Sequence, residues 1–122
     1  MLLVPTYTAA STIQGVGLFA AAPIAAGSLI WRFEPAFDRI IPEDVFAGLP
    51  EPARAFVERY GYITPQIPGG WVVSLDNTRF INHASDANTD NTTPLTYARR
   101  AIAEGEEITC DYGEFCVDYT LD

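Results

Sequence analysis

The sequence predicts a mainly β domain of short twisted sheets, with one or two short helices confined to an insert in the middle of the chain. Three observations carry that expectation. Nine glycines and nine prolines in 122 residues break the chain too often for a helical bundle and favour short strands joined by turns. A seven-residue pattern, I-A-x-G-x-x-I, occurs at Ile24–Ile30 and again at Ile102–Ile108, 78 residues later, with an alanine four residues ahead of each copy at Ala20 and Ala98. In the middle, Leu49, Ala53, Phe56, Val57 and Tyr60 fall at helical spacing.

Taken in order, Thr6–Ile13 alternates as a strand does, and Gly15-Val16-Gly17 is a turn before a strand at Leu18–Ala21. Ser28–Phe37 is rich in β-branched and aromatic residues and reads as a strand, with Pro35 at an edge or strand end because it cannot donate to a ladder. A turn of helix is expected over Pro42–Ala47. A second helix is expected over Glu51–Tyr60, with Pro52 in its first turn and Gly61 as its stop. Pro65–Gly70 reads as a loop, Trp71–Ser74 as a strand and Ala84–Thr93 as a polar loop; Leu95–Ala101 and Glu107–Cys110 read as strands. Each copy of the repeat reads as strand, tight turn with glycine where φ can be positive, and strand. Two copies suggest a pseudo-symmetric β fold. No linker divides the chain, so 1–122 is expected to form one domain.

The net charge is −9, from 16 acidic and seven basic residues, all seven of them arginine. Such a chain repels phosphate backbones and anionic lipid surfaces, so neither direct nucleic-acid binding nor membrane binding is expected. A basic peptide would be attracted, with Asp38, Glu43 and Asp44 as the acidic candidates; solubility alone also accounts for the acidity. The two cysteines, Cys110 and Cys116, match no zinc spacing and do not make a secreted disulfide framework. With no secretory leader and no apolar run long enough to span a bilayer, the expectation is a soluble intracellular protein, cytoplasmic if bacterial.

Three segments carry the chemistry: Gly15-Val16-Gly17, Arg79-Phe80-Ile81-Asn82-His83, and Gly105-Glu106-Glu107-Ile108-Thr109-Cys110-Asp111-Tyr112-Gly113. The first alone fits any tight turn and lacks the third glycine of a dinucleotide fingerprint. The second, continued by Ala84-Ser85-Asp86-Ala87-Asn88, and the third lie about 25 residues apart. In this order the three resemble the SET domain of protein-lysine methyltransferases, over Gly15 to Tyr112: R-F-I-N-H is similar to that family's RFINHSCxPN segment and G-E-E-I-T-C-D-Y to its GEELTxDY segment.

The resemblance implies a β-clip fold in which the two C-terminal segments cross in a knot-like core beside the cofactor. It implies S-adenosylmethionine as methyl donor, no metal, and lysine side chains of a protein substrate as acceptor. Position by position, the backbone of Gly15, Val16 and Gly17 would approach the cofactor. Asn82 would bond its methionine end, and His83 would meet the adenine through its backbone. Arg79 would lie near the cofactor or brace the crossing, Asp111 would be a structural partner in the knot, and Tyr112 would be the catalytic tyrosine. Residue chemistry leaves alternatives beside these: a turn-forming Asn82, a structural His83 and Arg79, and a core-packing Tyr112. Glu106 and Glu107, neighbours on a strand, point to opposite faces and cannot readily share a proton, so solvation or a bond within the knot is expected.

Phe33, Tyr60, Tyr62 and Cys110, with Trp31 and Phe37, are candidates for the wall of the lysine channel. Three departures from the family pattern stand out. Phe33-Glu34-Pro35 occupies the place of Y-x-G, removing a second active-site hydroxyl for which Tyr60 or Tyr62 could compensate. Cys110 stands where many members have Phe or Tyr, a smaller residue that implies room for more than one methyl. The zinc-binding segment that often follows is missing, as in minimal bacterial- and viral-type members, some of which form homodimers; Phe115 and Val117 would cover the adenine instead. A catalytically silent SET-like interaction module is the alternative function, and another β-clip binding domain is the alternative fold assignment.

Overall fold

The computed structural model describes residues 1–116. Its strands are β1 (Thr6–Ala10), β2 (Val16–Ala20), β3 (Leu29–Arg32), β4 (Arg39–Ile41), β5 (Tyr62–Thr64), β6 (Ile67–Val73), β7 (Asn82–His83), β8 (Thr89–Asp90), β9 (Leu95–Ala98) and β10 (Glu107–Cys110). Two helices, α1 (Glu43–Ala47) and α2 (Glu51–Tyr60), lie between β4 and β5, and single 3-10 turns occupy Asn77–Phe80 and Tyr112–Glu114. The strands form three small sheets, in the orders β1-β2-β10-β7, β3-β9-β8 and β4-β6-β5. The mainly β expectation with a short helical insert holds, and α2 falls on the expected span.

The internal repeat is the organising device of the core. Its two copies lie antiparallel against each other: Ile24 N–H donates to Ile102 O (2.8 Å) and Ile102 N–H to Ile24 O (2.9 Å). Around that pair the bonds repeat in swapped form. Gly27 N–H donates to Ala98 O and Gly105 N–H to Ala20 O, each at 2.8 Å. Both turn glycines have φ +83°, a conformation an L-residue resists. The repeat's isoleucines, Ile24, Ile30, Ile102 and Ile108, are all buried, together with Ala20 and Ala98, so each copy adds one half of a shared apolar centre. Neither copy could bury its own face alone, which is why the pattern appears twice.

Several boundaries differ from expectation. β1 stops at Ala10 and β9 at Ala98. β3 ends at Arg32, because Phe37 and Asp38 N–H both turn back to Glu34 O (2.9 and 2.7 Å). The expected polar loop holds the two-residue strand β8. The largest difference is at Pro65–Gly70, expected as loop: β6 begins at Ile67 and runs through Pro68, Gly69 and Gly70, paired to β4 on one side and β5 on the other. A Cβ on Gly70 would lie 2.2 Å from Ile41 O. The glycine that reads as a turn signal instead permits close approach of β4's backbone. Partner strands decided this segment over local propensity.

Candidate active site

The centre of the site is a crossing of two backbone stretches. β7 and β10 run parallel, with Asn82 opposite Thr109 and His83 opposite Cys110. Asn88 locks the far side of β10. Its amide donates to Glu107 O (2.8 Å), its carbonyl accepts from Thr109 N–H (2.9 Å), and its own N–H donates to Thr109 Oγ1 (3.1 Å). Thr89 Oγ1 adds a donation to Thr109 O (2.6 Å). Asn88 and Thr89 are both fully buried. Here side-chain amides and hydroxyls do the work of a neighbouring strand, leaving these buried backbone groups satisfied.

The start of β2, where Val16 and Gly17 are strand residues and not the expected turn, meets the crossing from the other side. Asn82 Nδ2 donates to Gln14 O (3.1 Å), Val16 O (3.4 Å) and Glu107 Oε2 (2.9 Å). Glu107 also accepts from Ser11 Oγ (2.8 Å), and a Cβ on Gly17 would lie 2.3 Å from Glu107 Oε2. Glycine at 17 therefore makes room for the carboxylate that ties this segment to the crossing. The amide nitrogen of Asn82 is spent on this tie. Among the described residues its carbonyl Oδ1 has no hydrogen-bond partner and remains an acceptor.

Tyr112 straddles Asn82. Its hydroxyl donates to Ile81 O (2.6 Å) and its backbone N–H donates to His83 Nδ1 (3.0 Å), so it is bonded to the residues on both sides of that asparagine. Asp111 Oδ1 approaches His83 Nδ1 at 3.8 Å, and it also caps the following turn by accepting from Gly113 N–H (2.9 Å). The phenolic hydrogen is committed to Ile81 O.

Beside Tyr112 opens a cavity of about 660 Å³, whose wall includes Tyr60, Tyr62, Ile81, Cys110, Tyr112 and Phe115. Tyr62 packs edge-on against Phe115 (5.0 Å between centroids), which in turn meets Tyr112 (6.0 Å). Burial, followed by the neighbouring Cys116 and Cys110 thiols, pushes the Tyr62 phenol above the usual range. Burial likewise raises the Cys110 thiol and brings Cys116 to about 12. These three side chains give a neutral patch in a cavity that Glu43, Glu58, Arg59 and Arg79 also line.

A sequence-family model of the SET domain matches residues 15–113. The chain belongs to the SET-domain family. Solved structures agree on the fold. The chain is similar to a humanized mutant of Chaetomium thermophilum Polycomb Repressive Complex 2 bound to an inhibitor (TM-score 0.69, 23% identity), covering 94% of this chain and 16% of that one. It is similar to the same complex in an autoinhibited conformation bound to S-adenosylmethionine (TM-score 0.68, 22% identity, 94% and 16%). It also resembles a Plasmodium falciparum protein to which a histone methyltransferase activity is ascribed (TM-score 0.62, 18% identity, covering 89% of this chain and 97% of that one). The chain spans about a sixth of the Polycomb chains it matches. No curated protein sequence matches it.

Within the SET frame, the structure brings Gly15, Val16, Gly17, Asn82, His83 and Tyr112 to one place, and puts Tyr60, Tyr62, Cys110, Tyr112 and Phe115 around the adjoining cavity. Arg79 does not brace the crossing. It makes no hydrogen bond to the crossing; its guanidinium lies over the rings of Phe80 (5.0 Å), Phe56 (5.9 Å) and Tyr60 (6.0 Å) on the cavity wall. Its Nε is buried with no partner, and it forms no ion pair with any described residue. Trp31 lines the cavity, but Phe33 and Phe37 do not: Phe33 packs on the central core and Phe37 is exposed.

Asp38 is not part of an acidic surface. It is 3% exposed, with Oδ2 accepting from Glu34 N–H (2.9 Å) and from the Met1 amino group (2.8 Å). Val117 lies outside the described residues. Sequence reasoning assigned no role to Ser11, Asn88 or Thr109, and left Glu107 between solvent and the knot. The adjacent acidic pair was the usable signal, since Glu106 bonds Asn88 and Ala103 while Glu107 bonds Ser11 and Asn82. Among the described residues no helix is long and apolar enough to cross a membrane.

Proposed function

We propose that this chain transfers a methyl group from S-adenosylmethionine to the side-chain amine of a lysine on a protein substrate. The observation that carries this is the double attachment of Tyr112 to Ile81 and His83, which sets a phenolic oxygen beside Asn82 at the mouth of an aromatic cavity. The polar groups left over fit the donor's methionine end. Asn82 Oδ1, an acceptor without a partner among the described residues, suits its ammonium, and the buried, unpartnered Nε of Arg79 suits its carboxylate. The backbone of Gly15–Gly17 would lie along it, His83 would meet the adenine, and Phe115 would cover that ring.

When bound, the donor supplies a methyl group activated by a sulfonium. The remaining work is done by the chain's own residues. Tyr60, Tyr62, Cys110 and Phe115 present a wall that excludes water and disfavours the ammonium form of an entering lysine, so that the amine arrives with its lone pair. Tyr112 commits its hydroxyl hydrogen to Ile81 O, and its oxygen serves as an acceptor of weak CH···O contacts that orient the methyl. Most of the acceleration then comes from alignment of donor and acceptor. Glu43 and Asp44 line a second, shallower cavity that shares Glu43, Ile63 and Thr64 with the first. With the net charge of −9 this supports a basic peptide as substrate.

The test is mass spectrometry of protein lysates incubated with the purified chain and heavy-methyl S-adenosylmethionine. Heavy methyl on lysine is expected; donor binding with no heavy lysine in any protein would leave the silent interaction module, which the missing hydroxyl at Phe33 favours. Asn82→Ala is expected to weaken donor binding by about 1–3 kcal/mol, read by calorimetry. An unchanged affinity would remove Asn82 from the site.

A further inference from the structure

Phe33 stands where many relatives of this family carry a tyrosine, and it packs on the core without lining the cavity. A lysine amine entering the cavity therefore meets no hydroxyl from that position. The structure shows where another comes from. Tyr62, the first residue of β5, packs on the same central cluster as Phe33, Tyr112 and Phe115. Its ring is one aromatic contact removed from Tyr112, through Phe115. It lines the cavity, and no hydrogen bond engages its hydroxyl among the described residues. The residue is half-buried and its hydroxyl is not among the buried unpartnered atoms, so the oxygen is open to a ligand in the cavity.

Tyr60, which also lines the cavity, is the rival, and its ring sits in a different cluster. Arg59 lies over its ring (5.4 Å), Phe56 and Phe80 pack against it (5.0 and 5.7 Å), and Arg79 stands nearby. Tyr60 belongs to the α2 cluster and does not pack on the core that holds Tyr112.

We propose that Tyr62 supplies, from β5, the substrate-facing hydroxyl that Phe33 lacks, bonding the lysine amine and holding its lone pair toward the methyl donor. This rests on the methyltransferase reading. The hydroxyl neither gains nor loses a proton. Its burial, with the nearby thiols, keeps it neutral well into alkaline conditions, so it serves as a fixed dipole. It comes from the middle insert, whereas Tyr112 comes from the crossing. The amine would thus be held between two regions of the fold.

The experiment compares the wild-type chain with Tyr62→Phe. Each is assayed on a lysine peptide identified as a substrate, with donor affinity followed by calorimetry. Tyr62→Phe keeps the ring and loses only the oxygen. It is expected to lower kcat/KM at least about tenfold with donor affinity unchanged. A kcat/KM within twofold of wild type overturns the proposal while leaving the methyltransferase reading intact. A second readout does not need turnover: the preference for a lysine peptide over its norleucine counterpart, in the presence of S-adenosylhomocysteine. If the wild type transfers no methyl but holds that preference, and Tyr62→Phe loses it, the methyltransferase reading fails and the Tyr62 contact stands. A preference equal in both proteins, or no binding of either peptide, overturns the contact.

Discussion

The C-terminal crossing and the middle insert hold themselves together in different ways. In the crossing, buried polar side chains bond to backbone: Asn88 and Thr89 to β10, Asn82 to the start of β2, Tyr112 to Ile81 and His83. In the insert, rings pack on rings: Phe46 on Trp71 (4.9 Å), Phe56 on Tyr60 (5.0 Å), Tyr60 on Phe80 (5.7 Å). Hydrogen bonds fail within a few tenths of an ångström and a few tens of degrees, whereas aromatic contacts tolerate sliding and tilting. On the proposed function, the region that would place a methyl donor is built from the intolerant interaction, and the region that would form the substrate wall from the tolerant one. The first would fix geometry and the second accept different peptides without disturbing it.

The largest effect is expected where the intolerant interaction is cut. Asn88→Ala leaves the amide of Thr109 and the carbonyl of Glu107 buried without partners, and is expected to cost about 3 kcal/mol of stability in denaturant unfolding. A loss below about 1 kcal/mol would mean that water replaces the side chain and that the crossing is no more exacting than the insert. Next comes Tyr112→Phe. Removing the hydroxyl is expected to lower turnover about 100-fold, or about 2.7 kcal/mol of barrier, with donor affinity retained. Equal turnover would take the crossing out of the chemistry altogether. In the insert, Phe46→Leu keeps most of the apolar area and loses the stacking with Trp71, an expected cost of about 1 kcal/mol that should leave donor binding untouched. Weakened donor binding in that variant would show that the two regions are coupled.

The same contrast governs what could be read from the sequence. Helix α2 was legible because its apolar spacing, Pro52 and Gly61 are local signals, and the repeat was legible because the symmetry of the core is written twice in the chain. The segments that cross could be located by their motifs. The clamp itself could not: Asn88 and Thr89 look like loop residues, and only the three-dimensional path of β10 makes them ladder partners. β6 was misread for the converse reason, since Gly70 serves the approach of β4 and not a turn. Arg79 belongs to the same class. Its motif position implied cofactor or crossing; that it bonds nothing in the crossing and lies against Phe56 and Tyr60 depends on the placement of α2, which no local pattern encodes.

The smallest effect probes the seam between the two regions. Cys110 belongs to β10, Cys116 follows the C-terminal 3-10 turn, and both face the cavity that the insert closes. Burial raises both thiols above their ordinary value, Cys116 to about 12. A raised folded-state value means that the unfolded chain ionises first, near pH ~8.5. The folded protein keeps its stability below that pH and loses it as pH rises toward about 12. Denaturant unfolding from pH 7 to 10 should therefore show a decline beginning near pH ~8.5, flattened in Cys110→Ala combined with Cys116→Ala. The same burial predicts slow alkylation of both thiols at neutral pH, because little thiolate is present. If the alkaline decline persists unchanged in the double variant, the seam is wet and the thiols titrate freely. The cavity floor would then be as hydrated as an open surface, and the insert could not keep water from a lysine amine held between Tyr62 and Tyr112.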